Sequence, residues 1–234
     1  MTLDFIANTI KNSPSLDGVA ITDHSFAIYF PEDIAWSWEY IVDSSIFDKY
    51  RDQGNKILDR HLQNIASRKN NNLVPGIEVE LMNDGRFTVD PELLKRTELI
   101  IGSVHWLDIS PNTNENEILQ TWENATLALL DNNIHILGHP FRWLSTKIPS
   151  VSEKTVKKII AAAASNNIAL EFNSHYEIYT DLLMLREVAE LDAKIAFSTD
   201  AHRQDEVADF SYHETLLKNA GISQEDLNIF TPGS

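Results

Sequence analysis

Val19-Ala20-Ile21-Thr22-Asp23-His24 is the stretch whose reading decides the fold. An apolar, β-branched run of this length reads as a short buried strand, and it ends on two side chains that can hold a metal ion. The layout recurs downstream. Val74-Pro75-Gly76-Ile77 leads to Glu78, and Leu99-Ile100-Ile101-Gly102-Ser103-Val104 leads to His105. Ile134-His135-Ile136-Leu137-Gly138 leads to His139-Pro140, and Ile195-Ala196-Phe197-Ser198-Thr199 leads to Asp200-Ala201-His202. A sixth run, Ile168-Ala169-Leu170, carries Glu171 and Asn173 in the same place. Strand after strand therefore ends on a hard or borderline metal ligand.

Between these runs the spacing predicts helices. Leu3, Ile6, Ala7 and Ile10 follow a helical period from Thr2 to Ile10, with Thr2 as cap and Asn12-Ser13-Pro14-Ser15 as stop. Pro31 to about Arg68 reads as one long, mostly helical stretch whose Trp36, Trp38, Tyr40, Phe47 and Tyr50 are expected in the core; Asn70-Asn71-Asn72 ends it. Val79 to Asp90 reads as a hairpin turning at Asn83-Asp84-Gly85. Further helices are predicted over Pro91–Arg96, Asn116–Leu130, Ser152–Ala164, Asp181–Leu191 and Tyr212–Ala220. Strand and helix in alternation predict parallel βα units, the α/β class. In a barrel of such units function collects at the C-terminal strand ends, where the candidate ligands fall.

At 234 residues the chain fits one barrel domain, 1–234. A net charge of −16 argues against general binding to nucleic-acid backbone or anionic membranes. There is no cysteine, which excludes disulfides, thiolate metal sites and cysteine nucleophiles. Met1-Thr2-Leu3-Asp4-Phe5 lacks the basic start and apolar stretch of a signal peptide, and no run reaches the roughly 18 apolar residues of a membrane span. A cytoplasmic protein is expected, with its oligomeric state open.

Carboxylates and imidazoles from several strand ends suit zinc, manganese or iron, whereas calcium prefers oxygen alone. A lone histidine at a strand end is more often hydrogen-bonded structure than ligand. The equivalent positions of His24, His105, His139 and His202 overturn that reading jointly; for His61, His135, His175 and His213 it stands. Asp23 can orient His24 instead of binding metal, and Glu171 and Asn173 can line the pocket or cap the strand end. Arg142 and Arg203 follow the ligand motifs directly and are candidates to grip a phosphate or to pair with a carboxylate.

Ile21-Thr22-Asp23-His24, Pro75-Gly76-Ile77-Glu78, Gly102-Ser103-Val104-His105, Gly138-His139-Pro140 and Ser198-Thr199-Asp200-Ala201-His202 together resemble the PHP (polymerase and histidinol phosphatase) metallo-phosphoesterases. The resemblance runs from about Asp17 to His202. It implies a distorted, TIM-like (β/α)7 barrel with up to three divalent metals at its C-terminal mouth. Glu78 would bridge two of them, His105 and His139 would join it on one, Asp200 would serve the other, and His24 and His202 would hold a third. The implied reaction is hydrolysis of a small phosphorylated metabolite, such as a sugar, amino-alcohol or nucleotide phosphate, by a metal-bridging hydroxide.

The sequence departs from that family in one respect. The family opens with a strand ending in His-x-His, and no such strand precedes Thr2. On this reading the barrel lacks its first strand and three family ligands, and the start of the chain is expected to be internal to a longer parent. A chain complete as it stands is expected to hold one metal firmly and to hydrolyse weakly or not at all, a degenerate form that binds a metal or a partner. An amidohydrolase is the remaining alternative, disfavoured because no lysine stands at a strand end.

Overall fold

In the computed structural model of the chain, which describes residues 1–13, 16–68 and 72–232, Thr2 caps helix α1 (Leu3–Lys11), its hydroxyl accepting from the Phe5 N–H at 3.2 Å. The chain divides into two units, Met1–Ser103 and Val104–Ser234.

The first unit continues from α1 to strand β1 (Val19–Ile21) and the short helix α2 (Ser25–Tyr29). The stretch predicted as one helix from Pro31 to Arg68 is three: α3 (Glu32–Ala35), α4 (Glu39–Val42) and α5 (Ser44–Ala66). Trp38 breaks it with a left-handed backbone, φ 60°. Asp43, in extended conformation, restarts it by accepting from the Ser45 N–H at 3.0 Å. Tyr40 and Phe47 lie in the core as expected, but Trp36 is 62% exposed. Strand β2 (Leu73–Val79), helix α6 (Pro91–Leu94) and strand β3 (Leu99–Gly102) complete the unit.

The hairpin expected over Val79–Asp90 shrinks to a single antiparallel bridge, Leu81 to Phe87, closed by a turn with Gly85 at φ 83°. Only its first residue, Val79, belongs to the parallel ladder of β2. The turns expected at Pro14-Ser15 and Asn70-Asn71 lie outside the described residues. Strand order within the unit is β1-β2-β3, all parallel, with Ile21 opposite Pro75 and Glu78 opposite Ile101.

Gly76 makes the close strand spacing possible: a Cβ there would meet Thr22 Cγ2 at 2.7 Å and the Ile21 and Leu99 carbonyl oxygens at 3.1 Å. Leu58 and Ile65 of α5 are buried, as are Ile77 and Val79 of β2. A buried polar knot lies in the same unit: the Ser25 hydroxyl donates to Glu80 Oε2 at 3.0 Å, and the Thr88 hydroxyl reaches the same oxygen at 3.0 Å.

The second unit runs α7 (Glu115–Leu130), β4 (Ile136–Leu137), α8 (Arg142–Ser145), α9 (Glu153–Ser165), β5 (Ala169–Asn173), α10 (Asp181–Leu191), β6 (Lys194–Ser198), α11 (Ser211–Ala220) and β7 (Asn228–Ile229). Asn114 and Ser152 cap α7 and α9 through their side chains. The order is β4-β5-β6-β7, all parallel, with Ile136 opposite Ala169 and Asn173 opposite Ser198. Trp122, Ile159, Ile160, Leu170, Phe172 and Ile195 are each essentially inaccessible to solvent. Helix between parallel strands in both units is the α/β class that the alternation predicts. No helix among the described residues is long and apolar enough to cross a membrane.

Candidate functional site

In the first unit β1 and β2 bring His24 and Glu78 together. The two residues form a parallel bridge just past β1, and His24 Nδ1 lies 2.9 Å from Glu78 Oε2. Glu78 is 5% exposed, and its other oxygen accepts from the Ser103 hydroxyl at 2.5 Å. A buried carboxylate needs such partners, since an unpaired one would be neutralised. His24 stacks on Phe26, ring centroids 4.7 Å apart.

Asp23 faces elsewhere: its Oδ2 lies 3.0 Å from His61 Nε2, and that hydrogen bond holds the carboxyl below the usual aspartate range. His61, read from sequence as hydrogen-bonded structure and not as a ligand, has that partner in Asp23. The two are 38 residues apart, and no local pattern joins them.

In the second unit the rings of His105 and His139 lie 4.9 Å apart, edge to face. His139 is 6% exposed and adopts φ 25°, a left-handed backbone that a residue before proline strongly disfavours. Glu171 fixes it there. One carboxylate oxygen accepts the His139 backbone N–H at 2.6 Å, and the other accepts the Ser198 hydroxyl at 2.6 Å. Glu171 thus ties the ends of β4 and β6 to β5, on which it sits.

Asp200 also has a left-handed backbone, φ 42°. Its Oδ2 accepts from Asn173 Nδ2 at 2.9 Å and lies 3.5 Å from Arg142 Nη1. The Arg142 guanidinium sits over the Tyr176 ring, 3.8 Å from its centroid. His139, Arg142, Glu171, Asn173, Tyr176 and Asp181 line one small pocket. At its edge Asp181, 4% exposed, has its carboxyl pushed up to about 6 by burial and accepts the Tyr212 hydroxyl at 2.5 Å.

His202 Nδ1–H donates to the Asp200 carbonyl at 2.7 Å, and the ring stacks on His175 with centroids 4.5 Å apart. Arg203 pairs with Asp205 at 2.6 Å and lies 3.5 Å from Glu206. Near His202 stand His175, read from sequence as hydrogen-bonded structure, and Glu206, which the sequence analysis does not single out; the two lie 3.3 Å apart. A signal for His175 was present, because Asn173-Ser174-His175 repeats the spacing of Asp200-Ala201-His202. His213 is buried and donates from Nε2 to the Phe172 carbonyl at 2.7 Å, the hydrogen-bonded structural role expected of it from the sequence. His135 immediately precedes β4, and burial lowers its pKa.

Both units thus present imidazole and carboxylate groups, the donors that borderline divalent ions accept.

No family model matches the chain. It is 25% identical over 167 residues to a probable phosphatase of Thermoanaerobacter sp. (strain X514) and equally to one of Thermoanaerobacter pseudethanolicus (strain ATCC 33223 / 39E), covering 68% of this chain and 64% of each relative. The chain therefore spans a little under two thirds of the length of these curated relatives. It is also 27% identical over 140 residues to the DNA polymerase/3'-5' exonuclease PolX of Bacillus subtilis (strain 168), covering 58% of this chain and 23% of that protein. In fold it is similar to a chain in the cryo-EM structure of an archaeal ribonuclease P with mature tRNA, with a TM-score of 0.50 and 11% identity, covering 95% of this chain and 81% of that one. That likeness concerns fold alone.

Proposed function

We propose that this chain is a metal-dependent phosphoesterase of the PHP kind, acting on a small phosphorylated metabolite. The observation that carries the reading is the backbone at His139 and Asp200. Both are candidate ligands just past strand ends and both hold left-handed φ values; Glu171 accepts the His139 backbone N–H, and Asn173 donates to the Asp200 carboxylate. Strain of this kind persists where surrounding structure over-determines it, and it gathers at functional sites. The likeness to two proteins named probable phosphatases supports the same reading.

His24, Glu78, His105, His139, Asp200 and His202 are the proposed metal ligands. When bound, divalent ions would supply an activated water and offset the charge that builds up on the phosphoryl oxygens. Ser103 orients Glu78, Glu171 sets the His139 backbone, and Asn173 holds Asp200. Arg142, laid over Tyr176 at the rim of the pocket, takes the substrate phosphate as a charge-assisted hydrogen-bond donor.

The test is phosphate release from a panel of small phosphomonoesters by the purified chain with added Mn²⁺, Zn²⁺ or Fe²⁺. Turnover that His139→Ala abolishes and Arg142→Ala weakens mainly through KM is the expected result. Absence of turnover with every metal and ester would overturn the enzyme reading and leave a protein that binds metal without hydrolysis.

A further inference from the structure

We propose that His175, His202 and Glu206 form a divalent-cation site, suited to zinc, that lies wholly within the second unit. Each offers one ligand atom, and the three atoms lie within 4.8 Å of one another. Bonds of about 2.1 Å to a tetrahedral ion set donors about 3.4 Å apart, so small side-chain rotations close the set. Two imidazoles and one carboxylate make a three-ligand zinc site with its fourth position open.

The surroundings prepare each donor. A carbonyl oxygen can only accept, so the 2.7 Å contact of His202 Nδ1 with the Asp200 carbonyl places the ring proton on Nδ1 and the lone pair on Nε2. Metal-binding histidines are oriented by this kind of second hydrogen bond. The Glu206 carboxylate is pinned by the chain itself: its Oε2 accepts the His202 and Arg203 backbone N–H groups at 2.7 and 3.0 Å. The same oxygen lies 3.3 Å from His175 Nδ1. His175 is held by its own backbone N–H, which donates to Asn173 Oδ1 at 2.8 Å.

The two imidazole rings lie side by side, centroids 4.5 Å apart with 26° between planes, and each must turn to bring its in-plane lone pair onto a shared ion. The three side chains are 18%, 47% and 21% exposed in the order His175, His202, Glu206, which leaves an entry path for an ion. Arg203 stands at the rim with its guanidinium engaged by Asp205.

This site does not depend on the phosphoesterase reading. His202 belongs to both proposals and cannot separate them; His175 and Glu206 can. Zinc alone, titrated into the metal-stripped full chain against a chromophoric chelator, is the probe, with visible absorption of the cobalt(II) form as a second readout. Expected for His175→Ala is the loss of one zinc equivalent, or a fall in the affinity of one equivalent by more than about tenfold, together with a weaker cobalt band. Glu206→Gln keeps an oxygen to accept the two backbone N–H groups while removing the charge. It should show the same loss with an unchanged circular dichroism spectrum.

Zinc count, affinity and cobalt spectrum equal to those of the parent chain in His175→Ala would overturn the proposal. If His175→Ala does not fold, the same equality in Glu206→Gln overturns it. Failure of the phosphoesterase reading would appear separately, as absent turnover in the parent chain with zinc binding intact.

Discussion

In the first unit Glu78 sits inside β2 and His24 bridges to it, so ordinary parallel pairing presents both side chains. In the second, His139 and Asp200 stand beyond their strands on left-handed backbone; the buried Glu171 holds the His139 main chain and the buried Asn173 the Asp200 carboxylate. The first arrangement spreads the positioning over a ladder of main-chain bonds and tolerates the loss of any one side-chain contact. The second concentrates it in a few groups. A strand end can thus be aimed by its pairing or by a neighbour's carboxylate, and the two modes should differ in their response to mutation.

The largest effect is expected at Glu171. Glu171→Ala leaves the buried His139 N–H and Ser198 hydroxyl without their acceptors, costing about 1–3 kcal/mol for each unsatisfied group. Chemical denaturation should show that loss, and metal binding should weaken with it. Next is a pH effect near the pocket. Burial lets Asp181 hold its proton up to about 6 in the folded chain, whereas the unfolded carboxyl releases it near the ordinary aspartate value of about 3.9. Between those values the folded state binds more protons, so stability falls as pH rises from about 4 to 6, by at most about 3 kcal/mol. Asp181→Asn, which keeps an acceptor for Tyr212, should flatten that part of the stability profile.

The ladder-held unit should respond less. Ser103→Ala removes one hydrogen bond to the buried Glu78 carboxylate and is expected to cost about 1.5–3 kcal/mol, less than the two groups orphaned together by Glu171→Ala, measured by the same denaturation. A response as large as that of Glu171→Ala would erase the distinction between the units. The smallest effect concerns strain itself. Glycine normally destabilises by about 0.5–1 kcal/mol relative to alanine within regular structure. At φ 25° the order should reverse, with His139→Gly more stable than His139→Ala in thermal melts. Equal or opposite order would mean that the turn is not strained by its side chain.

Much of this was legible in the sequence. Thr2 and Ser152 stand at the predicted starts of their helices and cap them, because side-chain capping is a local matter; the helix predicted from Asn116 starts at Glu115, capped by Asn114. The parallel strands followed from short apolar runs, and their ends from the polar residues that stop them. What stayed hidden depends on groups distant in the chain or on a single backbone angle. Nothing local marks Trp38 as the residue that turns left-handed and divides a predicted helix. The bonds from Glu171 to His139 and Ser198 span 32 and 27 residues, and residue type alone left Glu171 between pocket lining and strand capping. His175 was set aside as a lone histidine because its partner, Glu206, lies on a later turn.

Gly76 carries a consequence for tracing this protein's kin. It stands two positions before Glu78 on the same face of β2, and a larger residue would push against Thr22 and the neighbouring carbonyls. A distant sequence with the acidic residue but a bulkier one two places earlier cannot share this strand spacing, even if every other ligand aligns. The inherited signature is therefore the glycine and the carboxylate read as one word, and a genome search keyed to both should reject look-alikes that the carboxylate alone would admit.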